Sequence, residues 1–257
     1  MPRIRDKETV RAILETDRSW AVYALGDLAP GFFERCEWFS PADGSPAILL
    51  VYRAFETPVL FALGEPGAVR PLLDEVSAEP AFYLSIRPEI LPLVKARYQV
   101  ERERAMWRMV LDPARFRPSE APGVVRLGPA DLQALRTLYA DGETTGEAPD
   151  FFFPEMLANG IFFGLREGDS LILAAGTHIV VLAEGICAMG NVYTRRDRRG
   201  RGLAGRATAA VAAEALRMGV RTVALNVAQS NAVAIRVYEQ VGFVRYCAFY
   251  EGLARKQ

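Results

Sequence analysis

Apolar positions along the chain switch repeatedly between a spacing of three to four residues and a spacing of two, the signatures of helices and strands. In the first half, Val10, Ile13 and Leu14 share one helical face over residues 6–16, and Val69, Leu72, Leu73 and Val76 form a second helical stripe. Ala47–Ala54 (AILLVYRA), Pro58–Leu63 (PVLFAL) and Ala81–Ile86 (AFYLSI) are short apolar runs that predict buried strands. Tyr98–Leu111 alternates charged and apolar residues before turning apolar, the pattern of a strand with one wet face.

The second half is more regular. Val124–Leu127 predicts a strand, and Pro129 and Asp131 open a helix through Leu132, Leu135 and Leu138. A polar loop, Asp141–Pro149, is followed by a short helix over Phe151–Leu157 whose phenylalanines dock into the core. Three strands come next, Ile161–Leu165, Leu171–Leu182 and Ile186–Thr194. Helix 202–218, strand Thr222–Val227, helix 231–240 and strand Phe243–Tyr250 complete the chain. A meander followed by strand–helix–strand–helix–strand predicts an α/β (α+β) fold, a mixed sheet covered by helices. Asp112–Gly123 carries three prolines and divides the chain into residues 1–117 and 118–257.

Composition narrows the class. Hydrophobic residues make up 51% and charged residues 24% of 257, values of a soluble globular protein and not of a disordered or fibrous one. Lysine plus arginine equals aspartate plus glutamate, 31 each, so no net field draws the chain to nucleic acid or to an anionic membrane. The three cysteines, Cys36, Cys187 and Cys247, are too scattered for a disulfide framework or a metal site, and one histidine, His178, leaves no histidine-built metal centre. The charged start, MPRIRDKETV, lacks the apolar core of a signal peptide, and a cytoplasmic protein is expected.

The chemistry concentrates in Asn191–Arg206, NVYTRRDRRGRGLAGR. Here a strand runs into a glycine- and arginine-rich loop that opens directly into a helix. Gly200 and Gly202 let the backbone turn and present consecutive N–H groups, and the first turn of the helix adds donors with no internal partner. Together with the helix dipole they form an anion cradle suited to a phosphate or pyrophosphate. The Walker pattern is missing. Gly200, Gly202 and Gly205 match GxGxxG formally, but neither the preceding topology nor a downstream acidic residue fits a dinucleotide fold. Six arginines and one aspartate between Arg195 and Arg206 also allow a solvated basic loop or a nucleic-acid contact, although the aromatic residues that such a surface interleaves are missing apart from Tyr193. A second element follows: Asn231, Ala234 and Tyr238 share one helix face, Asn231 at the cap position, with Gly242 as the stop and Phe243 opening the next strand.

These two elements, in this order, resemble the GCN5-related N-acetyltransferase (GNAT) superfamily, and more narrowly its FR47-like branch. The resemblance rests on Arg199-x-x-Gly202-x-Ala204, the preceding Asn191–Thr194 strand, and Asn231-x-x-Ala234-x-x-x-Tyr238-x-x-x-Gly242-Phe243. It covers residues 124–250 and implies a mostly antiparallel mixed sheet, with residues 1–117 as a degenerate GNAT-like partner of a catalytic 118–257. It further implies acetyl-CoA as co-substrate, no metal, and acetyl transfer by direct attack of a primary amine carried by a small molecule or peptide. By resemblance, backbone groups of Val192, Tyr193 and Thr194 pair with the pantetheine arm. Arg199, Gly200, Arg201, Gly202, Leu203, Ala204 and Gly205 hold the pyrophosphate through their amides. Asn231 binds near the pantetheine or helps place Tyr238, and Tyr238 protonates the departing thiolate. The strand Ile186–Gly190 lacks the carboxylate that relatives use as a base, which leaves Glu143, Glu147, Glu184, His178 or water. That gap also admits a non-catalytic acyl-CoA-binding module. Neither nucleic acid nor membrane is expected as a partner, and a homodimer stays open.

Overall fold

A computed structural model describes residues 3–118, 122–149 and 151–256. Residues 119–121 of the proline-rich divide lie outside the described residues. In chain order the first elements are β1 (Arg3–Ile4), α1 (Lys7–Leu14), α2 (Val22–Gly26), β2 (Cys36–Phe39), β3 (Ile48–Tyr52), β4 (Val59–Leu63), α3 (Pro66–Glu75), β5 (Ala81–Ile86), α4 (Leu91–Lys95) and β6 (Tyr98–Leu111). They are followed by β7 (Val124–Arg126), α5 (Leu132–Glu143), α6 (Pro154–Asn159), β8 (Phe163–Glu167), β9 (Ser170–Val181), β10 (Ile186–Thr194), α7 (Leu203–Arg217), β11 (Thr222–Ala228), α8 (Ala232–Val241) and β12 (Phe243–Lys256). Each half thus runs through one order: strand, two helices, three strands, helix, strand, helix, strand.

The chain forms two compact units. One contains the residues up to Arg108, Ala228–Ser230 and the residues from Arg245 on; the other contains Met109–Val227 and Asn231–Val244. In the first unit the strand order is β1-β2-β3-β4-β5-β12-β6, with β4 and β5 parallel. Its core stacks Leu49, Leu60, Phe82 and Leu84 of the sheet against Leu72 and Leu73 of α3. In the second unit the order is β11-β10-β9-β8-β7, with β10 and β11 parallel and the other pairs antiparallel. There Leu135, Leu138 and Tyr139 of α5 pack onto Phe162, Leu171 and Tyr193.

Several elements depart from the sequence expectations. The helix expected at Phe151–Leu157 begins only at Pro154, because proline disfavours helical backbone in the residue before it and suits the first helical position itself. Phe152 enters the core against Tyr139 and Phe162, at ring distances of 5.3 and 6.1 Å, whereas Phe151 and Phe153 stay partly exposed. The short helices α2 and α4 have too few turns to set up a periodic stripe. Finally, β12 continues past Tyr250 to Lys256, because Tyr250–Arg255 pair antiparallel with Ala81–Ile86 of β5.

The end of α8 is fixed by Gly242. Its φ of +119° lies in the left-handed region, and the segment behind it is clasped by Asp112 N donating to Gly242 O and Arg117 N donating to Val241 O, each at 3.0 Å. A Cβ at this position would lie 2.7 Å from both Arg115 O and Phe116 Cα. Gly242→Ala is therefore expected to destabilise the fold by about 2 kcal/mol, measured by urea denaturation, through backbone strain and contact together.

Candidate functional site

The parallel ladder between β10 and β11 runs from Ile186↔Thr222 to Met189↔Leu225 and stops. Beyond it, Gly190–Thr194 keep β9 as a neighbour on one side only, and the sheet opens. Two irregularities coincide with the break. On β9 the partners of Ala188 and Met189 are Ile179 and Thr177, so His178 is an extra residue. On β10 the partners of Gly190 and Tyr193 are Gly176 and Ala174, so Asn191 and Val192 share one partner. Bulges of this kind bend a strand and increase its twist, which turns β10 away from β11. Asn191 takes a φ of +55°, a conformation asparagine tolerates better than most residues. The bulge is pinned from behind by Tyr139 of α5, whose hydroxyl donates to Asn191 O at 2.9 Å.

Polar atoms in this opening lack partners. Asn191 Oδ1 and Thr194 Oγ1 on β10 and Asn226 Oδ1 on β11 are buried without a hydrogen bond. All three lie beyond the last residue pair of the β10–β11 ladder. Leaving such a group unsatisfied costs about 1–3 kcal/mol.

The loop that follows has a second set of free groups. After a 3₁₀ turn at Arg196–Arg198, Gly202 with a φ of +68° begins α7 and no side chain caps the helix. Arg199 N is used by the turn, at 3.4 Å from Arg196 O. The amides from Gly200 to Gly205 donate to no acceptor among the described residues. The arginine side chains are largely neutralised by the protein's own carboxylates. Arg199 pairs with Glu147 at 2.8 Å, Arg198 with Asp197 at 2.6 Å and with Glu167, Arg195 with Asp197 at 2.7 Å, and Arg196 with Asp141 at 3.5 Å. Arg201 and Arg206 are exposed and form no ion pair among the described residues. Asp141 also accepts from Tyr193 Oη at 2.8 Å and Arg196 N at 3.0 Å. The Arg196 amide and the Tyr193 hydroxyl hold its carboxyl below the usual range, so the brace persists in mild acid.

On α8, Asn231 Oδ1 accepts from Ala234 N at 3.0 Å, which leaves only its amide N–H₂ for other partners. Tyr238 lies seven residues on, about 10 Å along the helix axis, so the two side chains do not meet. The Tyr238 ring is buried, 6.1 Å from Phe243, and burial pushes its phenol up to about 12.

The carboxylates considered as bases are dispersed. Glu147 is held by Arg199, whose hydrogen bond lowers its pKa. Glu143 is exposed near the end of α5. Glu184 is buried in the turn before β10, about 20 Å of strand from the bulge. His178 alone borders the opening: a Cβ on Gly190 would lie 2.1 Å from its Nε2, and its ring stands 5.6 Å from that of Phe151.

Residues 132–243 match the Acetyltransferase (GNAT) family. A crystal structure from Novosphingobium aromaticivorans assigned to the GNAT family is similar to this chain at 25% identity, with a TM-score of 0.61 over 92% of this chain and 96% of that one. A Drosophila protein superposes with a TM-score of 0.72 at 13% identity, covering 99% and 97%. The tandem GNAT protein from the clavulanic acid biosynthesis pathway covers 98% and 97%, at 17% identity and a TM-score of 0.57. This chain has the GNAT fold. Among curated proteins none matches the sequence.

The two GNAT-like halves differ at the position of the loop. Between β10 and α7 lie residues 195–202, whereas between β4 and α3 lie only Gly64 and Glu65. The β3–β4 ladder is regular from Ile48↔Leu63 to Tyr52↔Val59, with no bulge. Among the described residues, only the second unit combines an open strand pair with a free row of amides. Sequence reasoning missed Tyr139, Asp141 and Asn226. The one local signal was Asn226, a polar residue in the otherwise apolar run VALNVA.

Burial pushes the His178 imidazole down from 6.5 to about 4. The folded pKa is the lower one, so the unfolded chain takes the proton first. This group therefore costs stability as pH falls from about 6.5 toward 4, and has no effect above that window. His178 is the chain's one histidine, so its imidazole NMR resonance is expected to keep the neutral position from pH 8 to 5 and to titrate near 4. His178→Gln is expected to remove that part of the acid destabilisation in urea melts.

Proposed function

We propose that the second unit is an acetyl-CoA-dependent N-acetyltransferase of the FR47-like type, acting on a primary amine of a small molecule or peptide. The match to the GNAT family supports acyl transfer in general. One observation carries the finer reading: an opened β10–β11 pair with three unsatisfied polar atoms leads directly into a row of unpaired amides, Gly200–Gly205. An extended arm with amide groups, ending in a pyrophosphate, has the chemistry to satisfy both. Val192, Tyr193 and Thr194 would pair with the arm along the free edge of β10, and Asn226 Oδ1 would accept from its N–H groups. Gly200, Arg201, Gly202, Leu203, Ala204 and Gly205 would hold the phosphates, with the Arg199 side chain bracing the loop through Glu147 and Thr194 O.

The bound thioester supplies an activated acyl carbon and a thiolate leaving group. Tyr238 keeps its proton at neutral pH because its phenol is buried, and its Oη gives that proton to the sulfur. A thiolate that leaves into the same dry surroundings is also raised in pKa, so donor and acceptor remain comparable. Asn231 shapes the start of α8 and offers its amide N–H₂. In this reading the amine reaches the site neutral, with water as the relay. His178, neutral but weakly basic, borders the path.

The dispersal of the carboxylates favours one second reading, an acyl-CoA-binding module without turnover. Thiol release from acetyl-CoA with a panel of amines separates the two: sustained release supports the enzyme, and tight binding without release supports the module.

Tyr238→Phe is expected to lower kcat about a hundredfold while CoA affinity stays within twofold, measured by steady-state kinetics and calorimetry. Unchanged turnover would remove the acid role. Gly202→Glu, which places bulk and negative charge among the amides, is expected to abolish CoA binding by calorimetry; retained affinity would refute the cradle.

A further inference from the structure

Two of the three consecutive phenylalanines ahead of α6 stay outside the core. Phe153 has extended backbone, φ −124° and ψ +145°, and successive side chains of an extended segment point to opposite sides. Phe152 turns inward, onto Tyr139 and Phe162, whereas Phe151 and Phe153 are 37% and 42% exposed. Their rings form one row. Phe153 and Phe151 stand edge to face, 4.8 Å apart at 88°, and Phe151 stands edge to face with His178, at 5.6 Å and 79°. Edge-to-face contact is a favoured geometry of aromatic pairs, so the row is a preformed surface and not a loose collection of side chains.

The inner end of the row reaches the opening in the sheet. His178 is the extra residue of β9, and its ring lies against Gly190, where a Cβ would come within 2.1 to 2.6 Å of Nε2, Cε1 and Cδ2. The missing side chain at 190 is what lets the imidazole occupy this place. Gly190 is also the first residue of β10 past the ladder with β11. With the phosphates at Gly200–Gly205 and the arm along the free edge of β10, the acyl end of the arm lies toward Gly190. The aromatic row therefore begins at the acyl end and runs outward through Phe151 and Phe153.

Resting on the acetyltransferase reading above, we propose that His178, Phe151 and Phe153 line the acceptor side of the second unit and select a primary amine carried on an aromatic body. Exposed ring area gains from an apolar group, which leaves water as it covers the rings. A flat ring can extend the edge-to-face row, whereas a hydroxylated chain gives up its water for no hydrogen bond from Phe151 or Phe153. A diamine would need a carboxylate for its second ammonium group. The two ion-paired acids of the preceding polar loop, Asp141 and Glu147, are held by Arg196 and Arg199. Burial keeps the His178 imidazole neutral at pH 7, so its charge does not oppose an apolar body.

The test uses the full chain at neutral pH, with phenethylamine, ethanolamine and 1,4-diaminobutane as probes. Thiol release from acetyl-CoA gives kcat/KM for each amine. The imidazole NMR resonance of His178, the chain's one histidine, reports binding without turnover, in the presence and absence of CoA. Phenethylamine is expected to exceed both other amines at least tenfold in kcat/KM, and to shift the His178 resonance saturably at a concentration at least tenfold lower. Phe151→Ala is expected to raise KM for phenethylamine at least tenfold; Phe153→Ala, at the more exposed position, is expected to raise it at least fivefold and serves alone should Phe151→Ala fail to fold. Equal kcat/KM for the three amines, a preference for the diamine, a His178 resonance that ignores phenethylamine, or an undiminished preference in either folded variant would overturn the proposal. Failure of the coenzyme reading looks different: no heat from CoA in calorimetry, with His178 still answering phenethylamine. Bound CoA without thiol release, together with a selective His178 shift, would keep the aromatic site and remove turnover.

Discussion

The break in the β10–β11 ladder after Met189 and Leu225 is the constraint on which the candidate site depends. A parallel pair normally consumes every backbone donor and acceptor between its strands. Here one extra residue on β10, held by the Tyr139 hydroxyl, turns the strand and leaves an edge unpaired in the middle of a sheet. In the proposed function that free edge leads into the loop and the start of α7.

Two clusters of buried atoms lack hydrogen-bond partners, and they differ in kind. Native interiors pair nearly all buried polar groups, so exceptions that fall together call for an explanation. Asn191, Thr194 and Asn226 fall beside a row of free amides and fit an uncharged arm with a phosphorylated end. Arg87 and Arg108 fall among aromatic faces, which compensate part of their buried charge.

The repeated order of elements gives a comparison within one chain. Both units have the helix-linked parallel pair, β4–α3–β5 and β10–α7–β11. The first links strand to helix through Gly64 and Glu65 alone, with an acidic residue at the helix cap. The second spends residues 195–202 on a turn that exposes amides, and pairs Arg195, Arg196, Arg198 and Arg199 with Asp141, Glu147, Glu167 and Asp197. The two units share an order of elements and differ here in loop length and glycine placement.

What the chain's own pattern determined was local. The strand Ile186–Thr194, the helix start after Gly202, the cap at Asn231 and the stop at Gly242 follow from periodicity, glycine and capping chemistry, which act over a few residues. Tertiary structure decided whatever depends on distant partners. Tyr139 finds a carbonyl 52 residues away, and Arg108 meets Trp20 and Phe249 from either end of the chain. Likewise β12 runs on to Lys256 because β5 offers an open edge there. Which polar atoms are left without partners is known only once every neighbour is in place, because burial and pairing belong to the packed molecule and not to any segment of it.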